Sequence, residues 1–296
     1  MERYNHASPP PLVATLGRLS DRQMTAKSGE IRIGIGGWTF EPWRGVFYPK
    51  GLPHAQELAY ASQRLTSIEV NGTFYRTQTP ATFRKWASEV PAGFVFAIKG
   101  PRFATNRRVL AEAGESITRF FDSGVTELKE KLGPINWQFM ATKKFDPADF
   151  GAFLKLLPRK VNGQAIRHVV EVRHDSFKDN AFIALCRKED VGIVFAADSE
   201  FPLIADVTGD FVYARLQRGK DTVPTAYPPK ELDAWSNRLQ LWSQGKSPAD
   251  LPNVDPKPKS ATKAKAAPRD VFAYVIHEGK VRAPAGAMEL IKRLKS

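Results

Sequence analysis

Short apolar, β-branched runs alternate with longer stretches of amphipathic spacing along most of this chain, the signature of alternating strands and helices. Eight runs predict strands: Ile31 to Ile35, Thr66 to Val70, Phe94 to Ile98, Ile135 to Phe139, His168 to Val172, Gly192 to Ala196, Phe211 to Leu216 and Val271 to Ile276. Helical spacing falls between most of them, over Ala55 to Arg64, Pro80 to Ser88, Ser116 to Leu132, Pro147 to Leu157, Asp179 to Lys188, Lys230 to Ser243 and Pro284 to Lys295. Only the sixth connection, around Pro202, lacks a helix pattern. Eight strands with helical crossovers over roughly 250 residues fit an α/β fold of the TIM-barrel-like (β/α)8 type, as a single domain, better than an open doubly wound sheet. Gly34-Ile35-Gly36-Gly37 has the wrong spacing for the dinucleotide-binding glycine turn of such a sheet.

A barrel of this kind gathers its functional groups at the C-terminal ends of its strands. Those ends carry Gly36, Gly37 and Trp38; Glu69 and Asn71; Lys99; Gln138; Glu171, Arg173 and His174; Asp198; and Arg215 with Gln217. Period-two alternation puts Glu69 with Asn71, and Glu171 with Arg173, on matching faces, so each pair can point into the mouth together. The bland alternative is a salt-bridged barrel interior that serves packing. The aromatic residues Trp38, Phe40, Trp43, Phe47 and Tyr48 crowd the first loop, and Phe74 with Tyr75 the second. They could stack a base or a sugar, or plug the end of the barrel.

Glu69 and Glu171 are the acid/base candidates, because a carboxylate beside Lys99, Arg173 or Arg215 stays ionised while a more desolvated partner can hold a proton. Paired carboxylates suit glycoside hydrolysis. Three cations in the same mouth suit an anionic substrate better, since guanidinium groups bind phosphate or carboxylate bidentately. Lys99 would serve as a Schiff-base nucleophile only with a depressed pKa, and the neighbouring carboxylates are expected to raise it instead. The expected catalytic set is therefore Glu69, Glu171 and Lys99. The expected substrate contacts are Trp38, Asn71, Tyr75, Arg173, His174, Asp198 and Arg215. With five histidines scattered along the chain, a three-histidine metal site is not expected. No resident cofactor is expected, with Mg²⁺ or Mn²⁺ on Glu69, Glu171 and Asp198 kept as an alternative, because hard cations accept oxygen ligands alone.

Composition narrows the setting. The chain has 296 residues, 42% of them apolar, with a formal charge of +13. Six Lys or Arg against three Asp over 245–270, and four against two acidic residues over 1–29, leave +8 on the remainder. The expected layout is a flexible N-terminal extension over 1–29 and a barrel over 30–296 with a disordered basic insertion at about 245–270, since Lys257 to Arg269 has no large apolar anchor. The lone Cys186 rules out an intrachain disulfide and sits in an apolar helical pattern, as a packed thiol would. No run approaches the ~20 apolar residues needed to span a bilayer, and Pro9-Pro10-Pro11 interrupts any signal-like stretch, so a cytoplasmic location is expected by default.

Gly37-Trp38, Trp43 with Phe47-Tyr48-Pro49, Glu69 through Arg76, Trp86, Phe94 through Lys99 and Glu171-Val172-Arg173-His174 occur in this order. They closely resemble the domain of unknown function 72 family, the YecE-like proteins, from about Ile31 to the C-terminus. The resemblance implies a TIM-barrel-like fold and no established activity. Two runs depart from the family pattern. Tyr213-Ala214-Arg215-Leu216-Gln217-Arg218-Gly219 carries Gln217 in place of a histidine, and Val275-Ile276-His277-Glu278 replaces a Phe-Asn-Asn.

Together these readings predict a hydrolase or lyase acting on an anionic, phosphorylated small molecule. The alternatives are a nucleic-acid-binding or nucleic-acid-processing barrel, motivated by charge and aromatic loops, and a non-catalytic ligand-binding barrel. The expected partner is an anionic small molecule or a nucleic acid, with no membrane.

Overall fold

The computed structural model describes residues 28–198, 200–255 and 267–295. Eight parallel strands close into a barrel in chain order: β1 (Ile31–Gly36), β2 (Ser67–Val70), β3 (Val95–Lys99), β4 (Leu132–Gln138), β7 (His168–Glu171), β8 (Gly192–Ala197), β9 (Phe211–Arg218) and β10 (Asp270–Glu278). β5 (Lys160–Val161) and β6 (Gln164–Ala165) form a small antiparallel hairpin outside the barrel. The circle closes where Ile31 through Ile35 pair with Val271 through Val275. All eight strands predicted from the apolar runs are present.

The helices are α1 (Glu57–Ser62), α2 (Gly72–Tyr75), α3 (Pro80–Ser88), α4 (Arg102–Thr105), α5 (Gly114–Asp122), α6 (Pro147–Leu156), α7 (Asn180–Lys188), α8 (Pro229–Ser243) and α9 (Ala283–Lys295). Proline at the first position and a side-chain cap fix several starts. Asp146 Oδ1, for example, accepts from the amides of Ala148 and Asp149 at 2.9 and 3.0 Å, ahead of Pro147. The helix expected over Ser116 to Leu132 is instead broken. Gly124 takes φ of 91°, and a Cβ there would fall 2.7 Å from Pro80 Cγ, so the chain turns and continues as a 3₁₀ segment, Val125–Lys131. The hairpin went unpredicted although Asn162-Gly163, with φ of 49° and 81°, is the turn such hairpins favour. The sixth connection carries no helix over its described residues, as the sequence pattern implied.

Strand alternation separates two cores. Ile33, Ile68, Phe96, Ile98, Trp137, Val170 and Phe195 join helix residues such as Leu58, Phe83 and Leu239 in a large outer core. Val95, Ala97, Val169, Val194, Phe211, Tyr213, Phe272 and Tyr274 form a separate cluster built from strands alone, which fills the barrel's interior. Strands buried on both faces need apolar residues at nearly every position, which is why these runs read as continuous rather than alternating.

Part of the stretch expected to be a disordered insertion is held in place. Asp206 Oδ2 and Oδ1 accept from the amides of Val254 and Asp255 at 2.7 and 3.0 Å. Arg187 pairs with Asp255 at 2.5 Å, and Arg238 with Asp250 at 2.6 Å. Residues 256–266 and 1–27 lie outside the described residues. Cys186 is buried, and burial pushes its thiol up. Among the described residues no helix is long and apolar enough to cross a membrane.

Candidate functional site

The interior face of each strand ends in polar side chains at the C-terminal rim. Ser67, Glu69 and Asn71 follow one another on β2 and its exit, Ala97 and Lys99 on β3, Glu171 and Arg173 on β7 and its exit, and Tyr213, Arg215 and Gln217 on β9. These groups form a network. Arg215 donates through Nη1 to Glu171 Oε1 at 2.7 Å and through Nη2 to Glu69 Oε1 at 3.1 Å. The Tyr213 hydroxyl donates to Glu69 Oε2 at 2.6 Å. Arg173 reaches Glu171 Oε1 with both Nε and Nη2, at 3.0 and 2.7 Å, and Asn136 Nδ2 donates to Glu171 Oε2 at 3.2 Å.

Glu69 is fully buried, and Glu171 and Arg215 nearly so. Burial alone would raise the Glu171 carboxyl, but Arg215, Lys99 and Arg173 outweigh it and hold the group well below the usual carboxylate range. Burial likewise works against the charge on Arg215, yet Glu171 and Glu69 overcome it and raise its pKa. Burial and the adjacent Glu69 push the Tyr213 hydroxyl up, so it remains a donor.

Lys99 behaves differently. Its Nζ donates to the neutral Gln138 Oε1 and lies 5.5 Å from the centre of the Phe74 ring. Neither nearby carboxylate comes within ion-pairing distance, because Arg215 and Arg173 occupy both. Burial pulls its pKa from 10.5 down to about 8, Arg215 adding to the pull while Glu171 and Glu69 resist. The expected upward shift from the neighbouring carboxylates is therefore overturned by desolvation.

A cavity of about 610 Å³ opens above this network. Asn71, Tyr75, Lys99, Arg173 and Arg215 of the expected set line it, together with Gln138 from a strand end, Trp43 and Phe74 from the aromatic loops, and Lys280, for which the sequence suggests no role. Glu69 and Glu171 do not line it and stand beneath its floor. Three expected contacts lie elsewhere. Trp38 packs edge-on against Trp86 and Phe96, with ring centres 5.1 and 6.3 Å away. His174 accepts the Ser176 amide through Nδ1 at 3.1 Å, capping a 3₁₀ turn over Asp175–Phe177. Asp198 accepts the Glu200 amide at 2.7 Å and lines a separate groove beside Arg218 and Pro252. Alternation gives the face of a residue inside a strand, but not the direction of a side chain once the chain leaves it, which is where Trp38 and His174 sit.

Asn136 joins the constellation without having been expected there, and Gln217, expected at the end of its strand but in no binding or catalytic role, joins it too. Both are buried, and among the described residues Asn136 Oδ1 and both amide atoms of Gln217 find no hydrogen-bond partner. Their interior alternation with Arg215 and Gln138 was the available signal. The alternative Mg²⁺ or Mn²⁺ site does not fit these positions. Glu171 and Glu69 spend their oxygens on cations and a phenol, Asp198 faces another groove, and no group of three His, Cys, Asp or Glu among the described residues could hold a metal.

The model of the family described as protein of unknown function DUF72 matches residues 32–296. The chain belongs to the DUF72 family. A solved DUF72 structure from Thermotoga maritima superposes with a TM-score of 0.67 at 20% identity, covering 90% of this chain and 100% of that one. One from Enterococcus faecalis gives 0.64 at 16% identity, covering 91% and 99%. At these identities the likeness shows the shared DUF72 barrel. No curated protein matches the chain.

Proposed function

We propose that this DUF72 protein is a barrel enzyme, a hydrolase or lyase, acting on a small anionic molecule such as a phosphorylated compound. The observation that carries this reading is the charge imbalance of the mouth. Lys99, Arg173, Arg215 and Lys280 line the cavity with one carboxylate, Glu278, and the two carboxylates that pair with Arg173 and Arg215 lie beneath it. One positive charge is left facing the ligand in a concave site floored by buried side chains, where an anion gains more than at an open surface. Among the described residues Arg173 Nη1 has no hydrogen-bond partner, so this guanidinium, which also lies 4.7 Å from the centre of the Phe201 ring, can serve Glu171 and a ligand together.

The geometry redistributes the roles expected from sequence. Glu171, ionised by three cations, acts as a fixed countercharge rather than a proton donor. Glu69, locked by Tyr213 and Arg215, positions that arginine. Proton transfer at the mouth falls to Lys99, which titrates at about 8 and can hold or release a proton near neutral pH. Asn71 and Gln138, at the ends of the two strands that flank β3, orient the ligand beside Lys99.

Thermal denaturation with inorganic phosphate and simple sugar phosphates tests this reading, because a ligand of the native state raises Tm. A rise in wild type that is lost in Arg173→Ala is expected. Equal shifts in both proteins, or none with any of these anions, would overturn it.

A second reading, nucleic-acid binding, is favoured by one feature of the rim. Tyr75 and Phe103 are 61% and 60% exposed, with the Arg102 guanidinium 5.8 and 5.6 Å from their ring centres. Such a set can stack an unpaired base. Binding to single-stranded DNA that weakens steeply with salt and is lost in Tyr75→Ala with Phe103→Ala would support it, whereas salt-independent or absent binding would remove it.

A further inference from the structure

We propose that Lys99 is a nucleophile that forms an imine with the carbonyl carbon of a small anionic aldehyde or ketone, an assignment that rests on the small-anion reading of the mouth. An imine-forming lysine needs an amine that is free of carboxylates, fixed in place and reachable by the carbonyl. Each condition has a structural counterpart here.

Freedom comes from the arginines. Glu69 and Glu171 are the natural partners of a lysine at this depth, yet Arg215 bridges both and Arg173 takes Glu171 a second time. Nζ is left with an amide oxygen, which a neutral amine satisfies as readily as an ammonium. Fixation comes from the strand end. The Lys99 carbonyl accepts the Thr73 hydroxyl at 2.7 Å, and a Cβ on the following Gly100 would fall 2.3 Å from Trp137 Cε3, so the backbone is clamped between α2 and that indole. Access comes from the cavity, which Lys99 lines beside Arg173 and Arg215. Those two cations hold the anionic group of the ligand while Nζ meets its carbonyl.

The step balances without an added reactant. Nζ as the neutral amine attacks the carbonyl carbon, its two protons leave with the carbonyl oxygen as water, and a C=N bond replaces C=O. Burial beside Arg215, with no carboxylate in ion-pairing distance, favours the neutral amine that this attack requires.

Pyridoxal 5′-phosphate, an aldehyde bearing a phosphate, is a probe of suitable chemistry. Full-length protein would be incubated with it, reduced with borohydride and mapped by peptide mass spectrometry. The imine becomes a stable secondary amine, heavier by the probe's mass less one oxygen. Lys99 is expected to be modified faster than the exposed Lys85, by on the order of tenfold or more near neutral pH, from its larger neutral fraction. The rate should climb through pH of about 8, and inorganic phosphate should slow it. Lys99→Met should lose this fast-reacting site while the surface lysines react as before.

Failure of the nucleophile and failure of the anion site are distinguishable. If phosphate raises Tm but Lys99 reacts no faster than Lys85, the anion reading survives and the imine is overturned. If Lys99 reacts fast but phosphate neither protects it nor raises Tm, the anionic class of substrate is overturned and this proposal with it.

Discussion

In the lower half of the barrel interior, Phe211 meets Phe272 and Tyr213 meets Tyr274, with ring centres 6.0 and 5.1 Å apart. Each hydroxyl there has a partner, Tyr213 on Glu69 and Tyr274 on Ser67, which itself donates to the Val95 carbonyl at 2.6 Å. One layer nearer the mouth, Glu69, Glu171, Arg173, Arg215 and Lys99 share the space, and Arg215 Nε, Asn136 Oδ1 and the whole amide of Gln217 find no hydrogen-bond partner among the described residues. The lower half is arranged for packing, with its tyrosine and serine hydroxyls partnered and, among the described residues, Arg32 Nε beside the Phe272 ring as its one open donor. The upper half keeps charge and open hydrogen-bonding capacity in a buried setting, an arrangement that costs stability unless something is bound there.

Breaking the upper layer should therefore cost far more than its contact area suggests. Arg215→Met would leave Glu69 and Glu171 facing each other with one cation fewer between them. A loss of about 3–5 kcal/mol in urea denaturation is expected, because uncompensated buried charge is left behind. A cost under about 1 kcal/mol would show that the network is not a coupled unit.

The satisfied regions carry a pH limit of their own. His168, at the start of β7, accepts the Trp137 indole N–H through Nδ1 at 3.0 Å, so Nε2 carries the proton and donates to the Pro158 carbonyl at 2.8 Å. This neutral tautomer is fully partnered, and burial lowers the pKa from 6.5 to about 4. Between those values the unfolded chain binds more protons, so this contribution is whole above pH 6.5 and falls as pH drops toward 4. Its size is at most about 3 kcal/mol. Equilibrium unfolding followed across that range should show the decline, and a His168→Gln protein should lack this part of it.

Gln217 sharpens the contrast in the opposite direction. Replacing an unpartnered buried amide with an apolar group of similar volume removes a desolvation cost, so Gln217→Leu should be neutral or stabilising by up to about 1 kcal/mol. A clear loss of stability would mean that this amide has a partner, such as an ordered water.

The sequence made the barrel legible because each strand is buried on both faces and each helix on one. Those two patterns survive any detail of packing. The small irregular elements did not show. α2 and α4 are four residues each, too short for periodicity to register, and the end of α5 is set by the contact of Gly124 with Pro80 across the fold. For the site, alternation placed Glu69, Asn71, Glu171, Arg173 and Arg215 on the interior face. It could not rank their depth, so the two glutamates looked like mouth residues when they lie under Arg215. Lys99 was misjudged for the same reason. Its carboxylate neighbours were visible in the sequence, but that two arginines had already taken them, and that burial would outweigh the remainder, depends on three-dimensional distances.

The protonation state of Lys99 is where the two layers part most sharply. Reductive ¹³C-methylation of the lysines, with the Lys99 resonance assigned by its absence in Lys99→Met, allows that amine to be titrated by NMR in the intact protein. An amine left without a carboxylate and desolvated titrates near 8, well apart from the surface lysines. A Lys99 that titrates at 10.5 or above would mean that a carboxylate still holds its proton, and the division of charges at the mouth described here would be wrong.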